Sequence, residues 1–147
     1  AKVFNEKQEE LKAAEAKKLE EAEQKFNAYI EENYPDAQTT SSGLAYVIEK
    51  PGTGAQAQGG KTVKVHYKGM FFDGATFDSS YDRGQPIEFP LGTGRVIPGW
   101  DEGIALFKEG GKGTLIIPYY LAYGEAGRGP IPGFANLVFE IELIEVK

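Results

Sequence analysis

The first 34 residues of this 147-residue chain contain neither glycine nor proline, and all 19 glycines lie beyond them. Glycine opposes a helix through backbone entropy, and proline through its missing N–H. A stretch spared both, and dense in Ala, Glu, Lys, Gln and Leu, has one favoured conformation. The segment predicts a single long helix, stopped by Pro35. Asn5 with Gln8 resembles an N-capping pair, and Glu21 stands one turn before Lys25 in the favourable orientation. Its apolar stripe is thin: Phe4, Leu11, Leu19, Ala22, Phe26 and Tyr29 or Ile30, with Gln8 and Glu15 where a continuous seam would be apolar. Such a helix is a solvated arm docking only its end, a linker to a further segment, or a dimerisation arm. A coiled coil needs about three or four clean heptads, and this stripe supplies barely two.

Composition narrows the function. The net charge is −6 and the pI near 4.9, a balance that a nucleic-acid backbone repels. No apolar run approaches the ~18 residues of a membrane span. Without cysteine there is no disulfide, thiolate nucleophile or thiolate metal site.

After a polar connector, PDAQTTSSG (35–43), the text becomes strand-like. LAYVIEK (44–50) is an apolar run. KTVKVHYKGMFF (61–72) alternates, with Val63, Val65 and Tyr67 on one face and Lys64, His66 and Lys68 on the other. Asp73-Gly74 then predicts a hairpin turn requiring positive φ. GTLIIP (113–118) is another strand, and NLVFEIELIEVK (136–147) alternates Leu137, Phe139, Ile141 and Leu143 against Glu140 and Glu142. Among these lies one helix, opening at PGW and ended by Gly110-Gly111, with Trp100, Ile104 and Phe107 on one face. The expected architecture is α+β: an antiparallel sheet with one short helix laid on a face, preceded by the long N-terminal helix. The domains divide as residues 1–40, helix and connector, and residues 41–147.

Covalent and metal chemistry find little support. The lone His66 shares the lysine-bearing face of its strand and reads as exposed. Ser79-Ser80 lack a GxSxG frame. The glycine-rich pieces GTGAQAQGG and GEAGRGPIPG lack the GK[ST] ending of a phosphate loop. What stands out is an aromatic surplus: Trp100, Phe77 beside Asp78, and the tyrosines Tyr67, Tyr119, Tyr120 and Tyr123. Trp100 is either core or the floor of an open pocket.

The run from VHYKGMFFDGATFDSSYDRGQPIEF through VIPGWDEGIALF to IIPYYLAYG, with LVFEIEL near the end, resembles the FKBP-type peptidyl-prolyl cis-trans isomerases, the family inhibited by macrolides such as rapamycin. The resemblance extends from about Leu44 to Lys147, and it implies a twisted antiparallel β-sheet wrapped around one short α-helix, in keeping with the reading above. It implies a pocket between sheet and helix with Trp100 as floor, Tyr67, Phe77 and Phe139 as aromatic walls, and Val96 and Ile97 at the edge. It implies that Asp78 and Tyr123 reach into the cavity, that Arg83 pairs with Asp78, and that Ile131 is the apolar tip of a flap. The backbone N–H of Ile97 would hold a peptide carbonyl, with Asp78 and Tyr123 contacting the carbonyl of the rotating bond.

Two departures stand out. Ile87 replaces a phenylalanine wall, and the flap is about one residue shorter, with Arg128-Gly129 where a histidine is usual. The implied partners are proline-containing unfolded or partly folded polypeptides and macrolide inhibitors, with no cofactor and no metal. Bacterial members with a similar helical arm pair two chains through it. The absence of an initiator Met suits a processed chain, which would point to the periplasm or cell envelope; an unprocessed one would be cytoplasmic. Two rival readings are a binding module that has lost catalysis, and a chaperone whose arm does the main work.

Overall fold

The computed structural model describes residues 2–147, with side chains described from residue 16 onward. The Asn5–Gln8 pair, Phe4, Leu11 and Glu15 therefore lie outside the described side chains. Helix α1 (Lys2–Asn33) ends two residues before Pro35. Its polar connector supplies an edge to the sheet: β1 (Gln38–Thr39) pairs with β2 (Ala45–Lys50).

The other strands are β3 (Thr62–Phe71), β4 (Thr76–Ser79), β5 (Ile87–Pro90), β6 (Lys112–Ile117) and β7 (Leu137–Val146), all paired antiparallel. The sheet order is β1-β2-β6-β7-β3-β4, with β5 also on β3. β4 pairs with Lys68, Gly69 and Met70, and β5 with residues Thr62 to Val65, so one edge of β3 takes two short partners in turn. Between them the chain bulges into a single helical turn, α2 (Ser80–Arg83), capped by the Ser79 hydroxyl and ended by Gly84. The alternation of β3 follows the sequence reading, with Val63, Val65 and Tyr67 buried. Gly74 takes φ 92° in the turn that follows.

The short helix α3 (Pro98–Ile104) lies on one face of the sheet. It ends at Ile104, earlier than the Gly110-Gly111 stop expected from the sequence. Beyond Ile104 the chain continues in turns, and the Gln56 amide donates to the carbonyls of Ala105 (2.7 Å) and Phe107 (2.9 Å). Phe107 stays buried although it is off the helix. The approach of α3 to β6 depends on missing side chains. A Cβ on Gly99 would stand 2.6 Å from Ile117, and one on Gly103 2.6 Å from Leu115.

The opposite face of the sheet is covered by the C-terminal half of α1. Ala22 and Phe26 are buried, Leu19, Tyr29 and Ile30 half-buried, and Phe26 packs with Ala45, Ile116 and Val138. The helix thus docks through the apolar stripe seen in the sequence. Tyr29 stacks on Phe72 at 4.0 Å. Asn136, 8% exposed, clasps the helix to the sheet: its amide donates to the Ala22 carbonyl (2.9 Å) and its own carbonyl accepts from Tyr119 N–H (2.9 Å). β7 is consequently buried on both faces at Leu137, Val138 and Phe139, which simple alternation does not foresee. Among the described residues, no helix is long and apolar enough to cross a membrane.

Candidate active site

The face carrying α3 is not filled. A cavity of about 340 Å³ opens there, with Trp100 at its base and Tyr67, Phe77, Phe139 and Ile87 around it. Trp100 is 4% exposed, yet its indole lines the hollow rather than being sealed beneath it. The rings meet edge-on: Tyr67 to Trp100 at 4.8 Å, Trp100 to Phe139 at 5.2 Å and Phe77 to Phe139 at 5.7 Å. Edge-to-face contacts are favourable for ring quadrupoles, and they fix the walls without filling the space between. Packing alone holds the indole, since Trp100 Nε1 is buried with no hydrogen-bond partner among the described residues.

One glycine makes room for the walls. A Cβ on Gly69 of β3 would lie 2.7 Å from Phe77 and 2.8 Å from Phe139. Both rings therefore rest against bare backbone.

A polar network crosses one side. Asp78, at the end of β4, accepts from the Tyr67 hydroxyl and pairs with Arg83, whose second guanidinium nitrogen donates to the Tyr67 oxygen at 2.8 Å. The α2 turn supplies Arg83 and brings it back over Asp78, an arrangement that the spacing of five residues permits. Burial pushes the Asp78 carboxyl up, but the hydrogen bonds from Tyr67 and Arg83, together with the guanidinium charge, outweigh it and hold it below the ordinary carboxylate value. Asp78 is accordingly ionised at neutral pH and can only accept.

Ser80 anchors this corner. Its buried hydroxyl accepts from Tyr67 N–H (2.7 Å), donates to the Tyr67 carbonyl (3.2 Å) and meets His66 Nδ1 at 2.8 Å. His66 is half-buried and stacks on Tyr81 at 4.6 Å, so it is less exposed than its strand face suggested.

The opposite rim is backbone and hydroxyl. Ile97 caps α3 with extended φ and ψ, and its N–H has no partner among the described residues. Asp101 holds the loop before it, accepting from Gly92 N–H (2.8 Å) and Gly94 N–H (3.2 Å). Val96 and Ile97 both line the cavity, as does Tyr123, whose hydroxyl makes no hydrogen bond among the described residues. Burial pushes the Tyr123 hydroxyl up; the Arg128 charge acts against this and the Asp78 charge adds to it.

Of the residues expected at the site, two stand elsewhere. Arg83 reaches it only through Asp78 and Tyr67. Ile131 is 7% exposed within the main core, its N–H and C=O both bonded to Arg128. That turn brings Arg128, not Ile131, to the cavity. Arg95 also lines it and was not anticipated, although its place beside Val96 was a visible signal. Gly69 and Asp101 escaped notice because their contacts are tertiary.

Comparison with known proteins agrees with this geometry. The model of the FKBP-type peptidyl-prolyl cis-trans isomerase family matches residues 53–144. The chain is 45% identical over 147 residues to the FKBP-type peptidyl-prolyl cis-trans isomerase FkpA of Aeromonas hydrophila, covering 98% of this chain and 54% of that protein. FkpA of Escherichia coli K12 is 49% identical over 109 residues, covering 74% of this chain and 40% of the relative. FK506-binding protein 2 of Emericella nidulans is 55% identical over 89 residues, covering 60% and 66%. The chain thus spans about half the length of the FkpA proteins it matches.

Among solved structures, the crystal structure of FkpA from Escherichia coli superposes with a TM-score of 0.79 at 41% identity, covering 99% of this chain and 70% of that one. That of AtFKBP13 gives 0.72 at 41% identity, covering 76% and 99%. With a family model over most of its length and an aromatic hollow between sheet and helix, the chain belongs to the FKBP-type peptidyl-prolyl cis-trans isomerases.

Proposed function

We propose that this chain rotates X-Pro bonds in unfolded or partly folded polypeptides, assisting their folding without a covalent intermediate or cofactor. The observation that carries the reading is the hollow itself. Its walls are aromatic, it lies at the small end of the range for ligand pockets, and two free donors, Ile97 N–H and the Tyr123 hydroxyl, stand at it.

Rotation about an X-Pro bond must break amide resonance. The barrier is roughly 18–20 kcal/mol, and the uncatalysed exchange takes tens to hundreds of seconds. No bond is made or cut, so no nucleophile is required. In the half-rotated amide the nitrogen keeps its lone pair and the carbonyl loses charge separation. A water-poor aromatic cavity disfavours the more polar planar amide relative to the twisted one. Contacts contribute to the rate only where they are stronger in the twisted state. An acceleration of about 10⁴ corresponds to roughly 5–6 kcal/mol of such difference.

In this reading the Ile97 N–H holds a peptide carbonyl of the substrate and the Tyr123 hydroxyl donates to the rotating region. Asp78 has a different part. Its oxygens are engaged by Tyr67 and Arg83, and an ionised carboxylate cannot donate to a carbonyl oxygen. It fixes the Tyr67 wall and presents negative charge to the carbonyl carbon.

A protein relative named as FK506-binding supports a macrolide as a competing ligand of the same hollow. Pairing of two chains through α1 is restricted by the docked stripe. Because Ala22 and Phe26 are buried against the sheet, a partner chain would use the helix N-terminal to them. Sedimentation equilibrium of the full chain against one beginning at residue 16 tests this: loss of the dimer on truncation supports it, and a monomeric full chain refutes it.

The decisive measurement is cis-to-trans conversion of a neutral prolyl peptide with and without rapamycin. Acceleration that the macrolide abolishes, with a change in Trp100 emission on binding, is the expected result. A rate no faster than the thermal one would overturn the proposal.

A further inference from the structure

The sequence contains three arginines, Arg83, Arg95 and Arg128, and every one stands at this hollow or bonds to its wall. The remaining cations are lysines. Arginine presents a planar fork suited to a carboxylate, whereas lysine offers a strongly hydrated point charge. Arg83 already has its carboxylate, Asp78, which is also the only acidic residue lining the cavity. Arg95 and Arg128 make no ion pair among the described residues, although the chain carries 22 aspartates and glutamates.

Both are exposed, but each leaves a fixed backbone. The loop of Arg95 is held by Asp101, whose two oxygens are occupied by Gly92 and Gly94 N–H and are not turned to the arginine. Arg128 is held by paired backbone bonds to Ile131 of 2.8 and 2.9 Å. The arginines arrive on separate loops, one entering α3 and the other following Tyr123. A chain of net charge −6 thus carries two arginines without an ion pair among the described residues at the rim of the aromatic hollow floored by Trp100.

We propose that Arg95 and Arg128 make this cavity selective for prolyl segments carrying a side-chain carboxylate within a residue or two of the proline. The inference names the substrate class of the isomerase reading and rests on it. The aromatic walls receive the proline ring, and the rim receives the flanking Asp or Glu. The surrounding acidic surface is screened over about 8 Å at physiological salt, so at contact range the rim charge governs.

The test uses matched prolyl peptides with blocked, neutral termini that differ only in one flanking residue: Glu, Gln or Lys. For the native chain at low salt, kcat/KM should fall in that order, with a Glu-to-Lys ratio of about fivefold, as one attractive and one repulsive exposed contact would give. The ratio should approach one near ~1 M salt, where the screening length is about 3 Å. Arg95→Gln with Arg128→Gln should bring the ratio to about one, and Arg95→Lys with Arg128→Lys should keep only the part that charge without the fork supplies. The ratio is internal to each protein, so a general loss of turnover cancels.

Affinities of the same peptides, read from Trp100 emission, give an independent ordering. Equal kcat/KM and equal affinities in the native chain overturn the proposal. So does a ratio that survives the double glutamine variant. If no peptide is turned over, the isomerase reading falls, and the affinity ordering alone judges the arginines.

Discussion

Both faces of the sheet carry a helix, and each helix leaves a recess, but the two recesses differ in kind. The one beside α1 is larger, about 480 Å³ against about 340 Å³ under the rim of α3. The rings that seat α1 lie nearly flat on each other, Tyr29 on Phe72 at 11° and Phe26 on Phe72 at 28°. On the other face they stand edge-on, at 75°, 88° and 86°. The larger recess is itself lined by an upright pair, Tyr119 and Tyr120 at 89°, so ring angle alone does not separate the two. Among the described residues, the larger recess gathers no counterpart of the Asp78–Tyr67–Arg83 network or of the unengaged Ile97 N–H. Volume and ring angle therefore do not identify the candidate site; the polar network and the donors left free do.

Removing one ring from each face breaks this comparison most directly. Phe139→Ala takes away the ring that Tyr67, Phe77 and Trp100 all touch. It should cost about 3–5 kcal/mol by chemical denaturation, with a large fall in kcat/KM for a prolyl peptide. An intact rate would show that the upright rings are not the working wall. Next in size, Asp78→Leu should lower kcat/KM by roughly ten- to a hundredfold, the scale of a misplaced wall group. The exposed Arg83–Asp78 pair contributes little to folding, so the unfolding midpoint should barely move, and a collapsed midpoint would reassign Asp78 to structure. On the other face, Phe26→Ala should cost about 1–2 kcal/mol, less than a fully enclosed phenylalanine, and leave kcat/KM unchanged. A lost rate there would join the two faces functionally.

The smallest effect is on pH. The Asp78 carboxyl lies below its unfolded value, so its contribution is complete above the ordinary carboxylate range near about 3.9. It is lost only as pH falls through the folded value. Turnover measured across pH should be level from about 5 upward as far as this group is concerned. A decline centred near neutrality would mean that another group controls the step.

How far the sequence revealed this follows from the range of each interaction. β3 was legible because ten residues alternate with period two, and the Gly74 turn because only a positive φ closes it. The docking stripe on α1 was legible for the same reason of period. β4 and β5 were not, since TFDS and IEFP are four residues each and their pairing depends on a turn whose bulge follows from tertiary bonds of Ser80. The end of α3 was misplaced because Phe107 keeps helical spacing to Trp100 while the chain has already turned. Trp100, Asp78 and Tyr123 stood out in the aromatic surplus, but their placing at one cavity came through family likeness, not through any spacing. Arg95 lacked even that signal, and only the fold brings it to the same opening as Arg128.

The Asn136 clasp has a mechanical consequence. Because it grips α1 at Ala22, a pull on the helix reaches the body at the residue before β7 and at the turn of Tyr119, ahead of Pro35. Below that grip Phe26, Tyr29 and Ile30 are packed on the same sheet face, so a load is shared among several footholds before it reaches the crossing to the first strand.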